Sequence, residues 1–185
     1  MATILGIAGS LREGSYNRAL LRAVVNLAPD DVTIEVGSIR DIPLYNGDVE
    51  ANDGIPPSVA ALKDRIAAAD AVLLVTPEYN QSVPGVFKNA IDWCSRPASD
   101  QRRVFGGKPV GLIGATPGRG GTRLAQTAWL PVFRGVGLEP WFGRQLYVDG
   151  AAAAFDEQGE LTSELIEKLV RQYIDDFAAH VLSRA

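Results

Sequence analysis

The sequence predicts an α/β fold in which an open, doubly wound parallel sheet carries helices on both faces. Strand-like and amphipathic helix-like segments alternate along the chain, five times over. The third strand segment, Ala71 to Thr76, is continuously apolar, which is typical of a central parallel strand covered on both faces. The 185 residues suit a single core, so we expect one domain over residues 1–185.

Hydrophobic periodicity places the strands. They are expected at residues 3–8, 32–36, 71–76, 110–115 and 138–142, with a further extended piece at 145–148. Pro140 lacks the N–H that a ladder needs, so the fifth strand is predicted at a sheet edge.

The helices are predicted between these strands, and Pro131 is expected to kink or end the one that runs to Phe133. Residues 39–57 are predicted to be irregular because they contain several prolines and glycines. In the long C-terminal helix five residues are expected to face inward: Leu165, Leu169, Tyr173, Phe177 and Val181.

Composition excludes several classes of protein. The net charge of −4 argues against a nucleic-acid binder, which usually presents a basic face. No stretch reaches the roughly 20 apolar residues of a membrane span, and no signal peptide is recognised at the N-terminus. A single cysteine, Cys94, allows no internal disulfide, which fits the expected cytoplasmic location.

The scarcity of histidine and cysteine limits the chemistry. With one histidine, His180, and one cysteine, no zinc site of the usual type is expected. His180 lies in the last helix, far along the chain from any glycine-rich turn, so we expect a surface or packing role. Cys94 is expected to be a packed thiol. If the protein is an enzyme, its reactive groups should therefore belong to a bound cofactor, with no catalytic side chain predicted.

The turn after the first strand has the residues of a phosphate site. Ser10 and Ser15 offer hydroxyls, and Arg12 and Arg18 bring positive charge and planar donor groups. Ser15 can also cap the following helix, whose N-terminus favours an anion. The alternative is an ordinary strand-to-helix turn, which needs a glycine and a capping serine in any case.

Two further turns bear on the ligand. A polar loop, residues 77–85, directly follows the third strand. In doubly wound sheets the ligand lies beyond the carboxyl ends of the strands, where the strand order reverses. The turn after the fourth strand, Gly118 to Arg123, nearly matches a dinucleotide-binding pattern, but it lacks the third glycine and follows the wrong strand.

Two motifs resemble those of the NADPH-dependent FMN reductases, a family that includes quinone, chromate and azo reductases. The first is GSLREGSYNR at residues 9–18, and the second is TPEYNQSVPGVFKNAIDW at residues 76–93. The segment DIPLYNGD at residues 41–48 is also similar. The resemblance implies one flavodoxin-like FMN-binding domain with five parallel strands in the order 2-1-3-4-5.

The resemblance also implies the cofactors and the residues that bind them. FMN would be bound noncovalently, and NADPH or NADH would supply hydride for quinones, azo compounds, metal oxyanions such as chromate, or free flavin. The phosphate would lie at Ser10, Arg12, Ser15, Tyr16, Asn17 and Arg18. The flavin ring would lie at Pro77, Glu78, Tyr79, Asn80 and Ser82, with Thr116 of the fourth-strand turn departing from the usual serine.

The partners expected are small-molecule acceptors and further copies of the chain, in a homodimer or homotetramer. Leu44 and Tyr45 are expected at the subunit interface. Two alternatives remain open at this point: a flavin-binding electron carrier or redox sensor without turnover, and a nucleotide-binding protein that uses the glycines after the fourth strand.

Overall fold

A computed structural model describes residues 1–184 and contains a parallel sheet with helices on both faces. Five strands follow the order β2-β1-β3-β4-β5, and a sixth, β6, also pairs with β4. Every pairing is parallel, which confirms the predicted doubly wound order. The strands are β1 (Ala2–Ala8), β2 (Val32–Gly37), β3 (Ala71–Val75), β4 (Pro109–Ala115), β5 (Glu139–Pro140) and β6 (Leu146–Val148).

The helices include short ones that periodicity does not predict. A helix of seven residues lies inside the stretch expected to be irregular, and another short one precedes β4. The helices are α1 (Tyr16–Leu27), α2 (Gly47–Asp53), α3 (Pro57–Ala68), α4 (Gly85–Cys94), α5 (Gln101–Phe105), α6 (Arg123–Val136), α7 (Ala151–Ala154) and α8 (Glu164–Leu182).

The sheet separates two apolar layers. Alternate residues of β1 enter opposite layers: Ile4 packs with residues of α1 and α8, whereas Leu5 and Ile7 pack with residues of α3 and α4. Because both faces are covered, the central strands are apolar throughout, and all five residues of β3 are buried. The carboxyl ends of β1, β3 and β4 therefore emerge side by side from a rigid core.

The fifth position of the sheet is shared by two short strands: β5 lies within the predicted fifth strand, and β6 lies within the extended piece predicted at 145–148. Pro140 lies opposite Val110 near the start of β4, and Leu146 lies opposite Ile113 near its end. Between them the ring of Trp141 packs against Tyr173 and Phe177 of α8, with both centroid distances 5.2 Å. Burying this large ring against α8 accompanies the break in the pairing with β4.

Helix α6 continues past Pro131 to Val136, so Pro131 does not end the helix; a kink at Pro131 stays a prediction. Pro131 is exposed, and its ring faces the side of the helix where water can bond the carbonyl that loses its partner. The helix ends instead at Gly137, whose φ of 86° is left-handed and whose N–H bonds to the Phe133 carbonyl at 2.9 Å.

In helix α8 one of the five residues predicted to face inward does not do so. Leu165 is 66 % exposed, whereas Tyr173, Phe177 and Val181 are buried. A spacing of four residues advances about 40° further than one helical turn. Over four such steps the stripe rotates away from the core, which explains why Leu165 points outward.

Cys94 and His180 lie in the packing positions that the sequence predicts for them. Cys94 is fully buried, and burial raises the pKa of its thiol to about 12. His180 is half-buried beside the Trp141 ring at a centroid distance of 6.3 Å. Within residues 1–184, no helix is both long and apolar enough to cross a bilayer.

Candidate functional site

Three turns meet at the carboxyl edge of the sheet. They are the β1 turn (residues 9–15), the β3 turn (76–84) and the β4 turn (116–122). Backbone hydrogen bonds continue the ladders into them: Gly9 N–H donates to the Val75 carbonyl at 2.9 Å, and Thr76 N–H donates to the Ile113 carbonyl at 2.8 Å. The predicted phosphate and ring residues are therefore brought to one edge, since β1, β3 and β4 are neighbours.

The β1 turn presents two nearly buried hydroxyls. Ser15 is the N-cap of α1, and its Oγ accepts from the N–H groups of Asn17 at 3.2 Å and Arg18 at 3.4 Å. Ser10 Oγ accepts from the Arg12 N–H at 3.3 Å. Both serines are 7 % exposed. These contacts order the turn at the N-terminus of a twelve-residue helix, where the helix dipole favours an anion.

Arg12 and Arg18 are exposed, and neither forms an ion pair within residues 1–184. Their charge is thus available to a ligand. Tyr16 is half-buried, and its ring lies 6.1 Å from that of Phe155. Its contacts are with the α7 end of the fold, so packing accounts for the ring.

Asn17 has a specific structural role that the sequence does not reveal. Its amide is 3 % exposed, donates to the Ala115 carbonyl at 2.9 Å and accepts from the Ala115 N–H at 2.9 Å. The side chain therefore completes the ladder at the end of β4 and joins the β1 turn to the β4 turn. Direct binding of phosphate by Asn17 stays a prediction.

The β3 turn contains a tight hairpin at its tip. Tyr79 and Ser82 exchange two backbone hydrogen bonds of 3.1 Å, and the residues between them have positive φ, 49° at Asn80 and 62° at Gln81. Positive φ at both central positions is the geometry of a type I′ turn, which costs a residue other than glycine conformational energy. The turn leaves the N–H groups of Asn80 and Gln81 outside that pair of bonds, and Tyr79 is 44 % exposed.

Glu78 connects the β3 turn to α6. Its Oε2 accepts from the N–H groups of Leu124 at 2.9 Å and Ala125 at 3.0 Å. The N-cap residue of α6, Thr122, has a left-handed backbone and makes no capping bond of its own. Glu78 thus supplies the cap from a distant part of the chain, and its carboxylate is placed where the helix dipole stabilises a negative charge.

The β4 turn is shaped by close packing. A Cβ on Gly114 would lie 2.2 Å from the Thr122 Oγ1, and one on Gly121 would lie 2.7 Å from the Tyr147 Cβ. The second glycine also has a φ of 59°. Packing and backbone geometry therefore account for Gly121 of the near-match to a dinucleotide pattern. Thr116 Oγ1 accepts from the Gly118 N–H at 3.3 Å and orders the start of the turn.

The segment 43–50 is held against α4 and leaves one apolar side chain outside. The Pro43 carbonyl accepts from Trp93 Nε1 at 2.9 Å, and Tyr45 N–H donates to Asn89 Oδ1 at 2.8 Å. The bond from Arg96 is the main cause that lowers the pKa of Glu50, which also accepts from the Tyr45 hydroxyl. Leu44, between these fixed points, is 82 % exposed.

Sequence reasoning did not identify the residues just after β2 as part of this edge. Ser38 and Arg40 lie next to the β1 turn, and Arg40 Nη2 donates to the Leu11 carbonyl at 3.1 Å. A serine and an arginine directly after a predicted strand were a usable signal, because β2 and β1 are neighbours in the predicted order.

Comparison with protein families gives a match over residues 2–153 to the family described as NADPH-dependent FMN reductase. The chain is 44% identical over 171 residues to an NAD(P)H-dependent FMN reductase of Pseudomonas aeruginosa, covering 92% of this chain and 90% of the other. It is 38% identical over 178 residues to a 2-hydroxy-1,4-benzoquinone reductase of a Burkholderia species, covering 96% and 95%.

A solved structure gives the same result for the whole fold. FerB, a flavoenzyme NAD(P)H:(acceptor) oxidoreductase from Paracoccus denitrificans, superposes with a TM-score of 0.88 at 37% identity. The match covers 99% of this chain and 98% of that one. The similarity thus extends over all three turns and both helical layers.

Proposed function

Because the chain belongs to the family of NADPH-dependent FMN reductases, we propose that its three turns together hold one FMN. The protein is an FMN-dependent NAD(P)H oxidoreductase that acts on quinones. In the proposed arrangement the phosphate lies in the β1 turn, and the flavin ring lies along the β3 and β4 turns. The observation that carries the proposal is the meeting of these turns at the edge where the strand order reverses.

The donors of the β1 turn fit a phosphate. Ser10 and Ser15 hold ordered hydroxyls at the N-terminus of α1, and the Arg12 and Arg18 guanidinium groups are free of ion pairs within residues 1–184. Charge-assisted bonds from such groups are the strong ones. Tyr16 and Asn17 complete the proposed phosphate site: Tyr16 through its backbone, as the first residue of α1, and Asn17 by holding the turn to β4.

The β3 and β4 turns fit the edge and face of a flat ring. Pro77 is buried at the start of the β3 turn, and the hairpin projects Tyr79, Asn80 and Ser82. The Glu78 carboxylate is occupied at the start of α6, so its charge is stabilised there. Thr116 borders the ring from the β4 turn in this proposal.

FMN, when bound, supplies the hydride acceptance and hydride donation that this reaction needs. The residues of the three turns would bind it and orient it for the nicotinamide and the acceptor. Backbone N–H groups at the ring edge favour negative charge there. This division of roles suits a site whose turns contain no histidine or cysteine. Azo compounds, chromate and free flavin are further acceptors in this proposal.

An absorbance experiment tests the function. Purified protein with FMN is expected to show bound-flavin absorbance that bleaches when NADPH or NADH is added without oxygen and returns when benzoquinone is added. A carrier or sensor without turnover would keep FMN but show no steady oxidation of either nucleotide. Absence of bleaching at saturating nucleotide would contradict the proposal.

We also infer that the protein works in the cytoplasm as a homodimer or homotetramer, with Leu44 and Tyr45 in the interface. Leu44 projects an apolar side chain from a segment fixed by Asn89, Trp93 and Arg96. Burial of the exposed Leu44 side chain in such an interface would remove apolar surface from water and so favour association.

A further inference from the structure

A cleft rich in arginine lies between the turns that follow β1 and β2. Its volume is about 190 Å³, and its polar lining is Ser10, Arg18, Arg22, Ser38 and Arg40. The strand order places it on the side of β1 away from β3. It therefore adjoins the proposed FMN phosphate site, with which it shares Ser10 and Arg18, and lies on the opposite side from the proposed flavin ring.

The charge in this cleft is not compensated by the protein. Arg18, Arg22 and Arg40 form no ion pair within residues 1–184, and no carboxylate lines the cleft. Arg18 and Arg22 lie four residues apart on α1 and so project from the same face. Arg18 is already assigned to the FMN phosphate, so Arg22 and Arg40 are the two guanidinium groups left to favour a second anionic ligand.

Two of these guanidinium groups are held in place. Arg40 Nη2 donates to the Leu11 carbonyl at 3.1 Å, and Arg22 Nη2 donates to the Gly159 carbonyl at 2.9 Å. A guanidinium has five N–H donors, so each keeps donors for a ligand. The Ser38 hydroxyl accepts from the Arg40 N–H at 3.2 Å and orders the turn beside them.

The cleft also has exposed apolar side chains beside its arginines. Val36 is 53 % exposed and Leu11 is 38 % exposed, and both line the cleft. A planar guanidinium can also stack on an aromatic ring. The combination fits a phosphate that carries a nucleoside better than it fits a bare inorganic ion.

We propose that this cleft binds the 2′-phosphate and adenosine of NADPH and makes the enzyme prefer NADPH to NADH. The inference rests on the proposed function, because the nicotinamide must reach a flavin along the β3 turn. Two strand spacings, roughly 10 Å, separate the ends of β2 and β3, a gap that an extended dinucleotide spans. Arg40 closely follows β2 in the sequence, and its guanidinium can make a charge-assisted bond to the 2′-phosphate, a group that NADH lacks.

Two variants of the FMN-loaded protein test the proposal by different means. Arg40→Ala removes one charge, and Ser38→Asp adds a carboxylate that can still accept from the Arg40 N–H. We expect each to lower the ratio of kcat/KM for NADPH to that for NADH by about tenfold, the loss of one charge-assisted bond. Calorimetric titration with 2′,5′-ADP should show a similar loss of affinity. Arg134→Ala, which removes an exposed arginine on α6, is the control.

Different results would overturn the cleft proposal and the proposed function. An unchanged ratio in both cleft variants would overturn the proposal, as would a loss of preference in Arg119→Ala or Arg123→Ala alone. A fall in FMN affinity without a change in the ratio would assign the cleft to the flavin phosphate and also overturn it. If inorganic phosphate binds as tightly as 2′,5′-ADP, the cleft does not recognise the nucleoside, and the proposal is overturned. The 2′,5′-ADP titration measures binding in the cleft directly. It therefore tests this proposal even if neither NADPH nor NADH bleaches the flavin and the proposed function fails.

Discussion

At the residue scale, the side chains of the β1 turn divide into those that face a ligand and those that hold the turn. Arg12 is exposed and unpaired within residues 1–184, whereas Asn17 is buried with both polar atoms bonded to Ala115. The sequence motif contains both and does not separate them. Their different surroundings lead to different expected effects of substitution.

Removal of the Arg12 guanidinium is expected to weaken FMN binding. Arg12→Ala should cost about 1.5–3 kcal/mol of binding free energy, the range for a hydrogen bond to a charged group. Titration of the apoprotein with FMN, followed by flavin fluorescence, measures the change. Arg102→Ala, which removes another exposed arginine far from the three turns, is the control. Equal affinity in the Arg12 variant and the wild type would refute the phosphate role.

Removal of the Asn17 amide is expected to reduce folding stability, because the buried N–H and carbonyl of Ala115 lose their partners. Asn17→Ala should lower the free energy of unfolding by about 2 kcal/mol. Urea denaturation of the apoprotein measures it. Asn26 is exposed on the same helix, so Asn26→Ala should change stability by only about 0.5 kcal/mol or less. Similar values for the two variants would show that the Ala115 contacts contribute little.

At the element scale, the turns depend on contacts that arrive from elsewhere in the chain. Phe87 of α4 packs where a side chain on Gly9 would lie, and Glu78 of the β3 turn caps α6. Sequence patterns predicted where the three turns occur, since each follows an apolar strand. They did not predict these contacts, because the partners are separated by more than 40 residues.

Two glycines of the β1 turn should respond differently to the same substitution. A Cβ on Gly9 would lie 2.0 Å from Phe87 Cδ1, whereas a Cβ on Gly14 would meet nothing within 4 Å. Gly9→Ala is therefore expected to lower stability by about 1–3 kcal/mol, the usual cost of overpacking. Gly14→Ala is expected to be close to neutral. Thermal denaturation of both apoproteins gives the comparison, and equal melting temperatures would contradict the packing role of Gly9.

Loss of the cap that Glu78 provides should destabilise α6. Glu78→Ala is expected to lower the free energy of unfolding by about 1 kcal/mol, the typical value for an N-cap. Hydrogen exchange should show the N–H groups of Leu124 and Ala125 losing protection. Glu157→Ala removes an exposed carboxylate from the loop after α7 and serves as the control. Unchanged exchange at those two amides would disprove the capping role.

At the scale of the whole molecule, the predicted fold and family are both confirmed. The strand order β2-β1-β3-β4-β5 is as expected, and the family match covers residues 2–153. The doubly wound order makes β1 and β3 neighbours, so turns more than 60 residues apart in the chain reach one site. The subunit arrangement stays a prediction, and it depends on a segment outside those turns.

Replacement of Leu44 by a charged residue is expected to weaken self-association. Leu44→Asp would place a carboxylate in a desolvated interface, and removing the charge from water costs roughly several kcal/mol. Light scattering after size exclusion at micromolar protein should show a monomer or smaller assembly. Leu165→Asp, a change at another exposed leucine on α8, is the control. A variant of unchanged mass at low micromolar concentration would place the interface elsewhere.

The sequence by itself determined the strand order, the positions of the three turns and the family. The positions of the turns follow from local periodicity, and the family and its strand order follow from the resemblance of motifs of consecutive residues; both kinds of signal are properties of short segments. Only the tertiary structure decided that Asn17 bonds to Ala115, that Glu78 caps α6 and that Arg18, Arg22 and Arg40 share a cleft. Such contacts depend on how distant segments pack, and no local pattern specifies which distant group fills a given place.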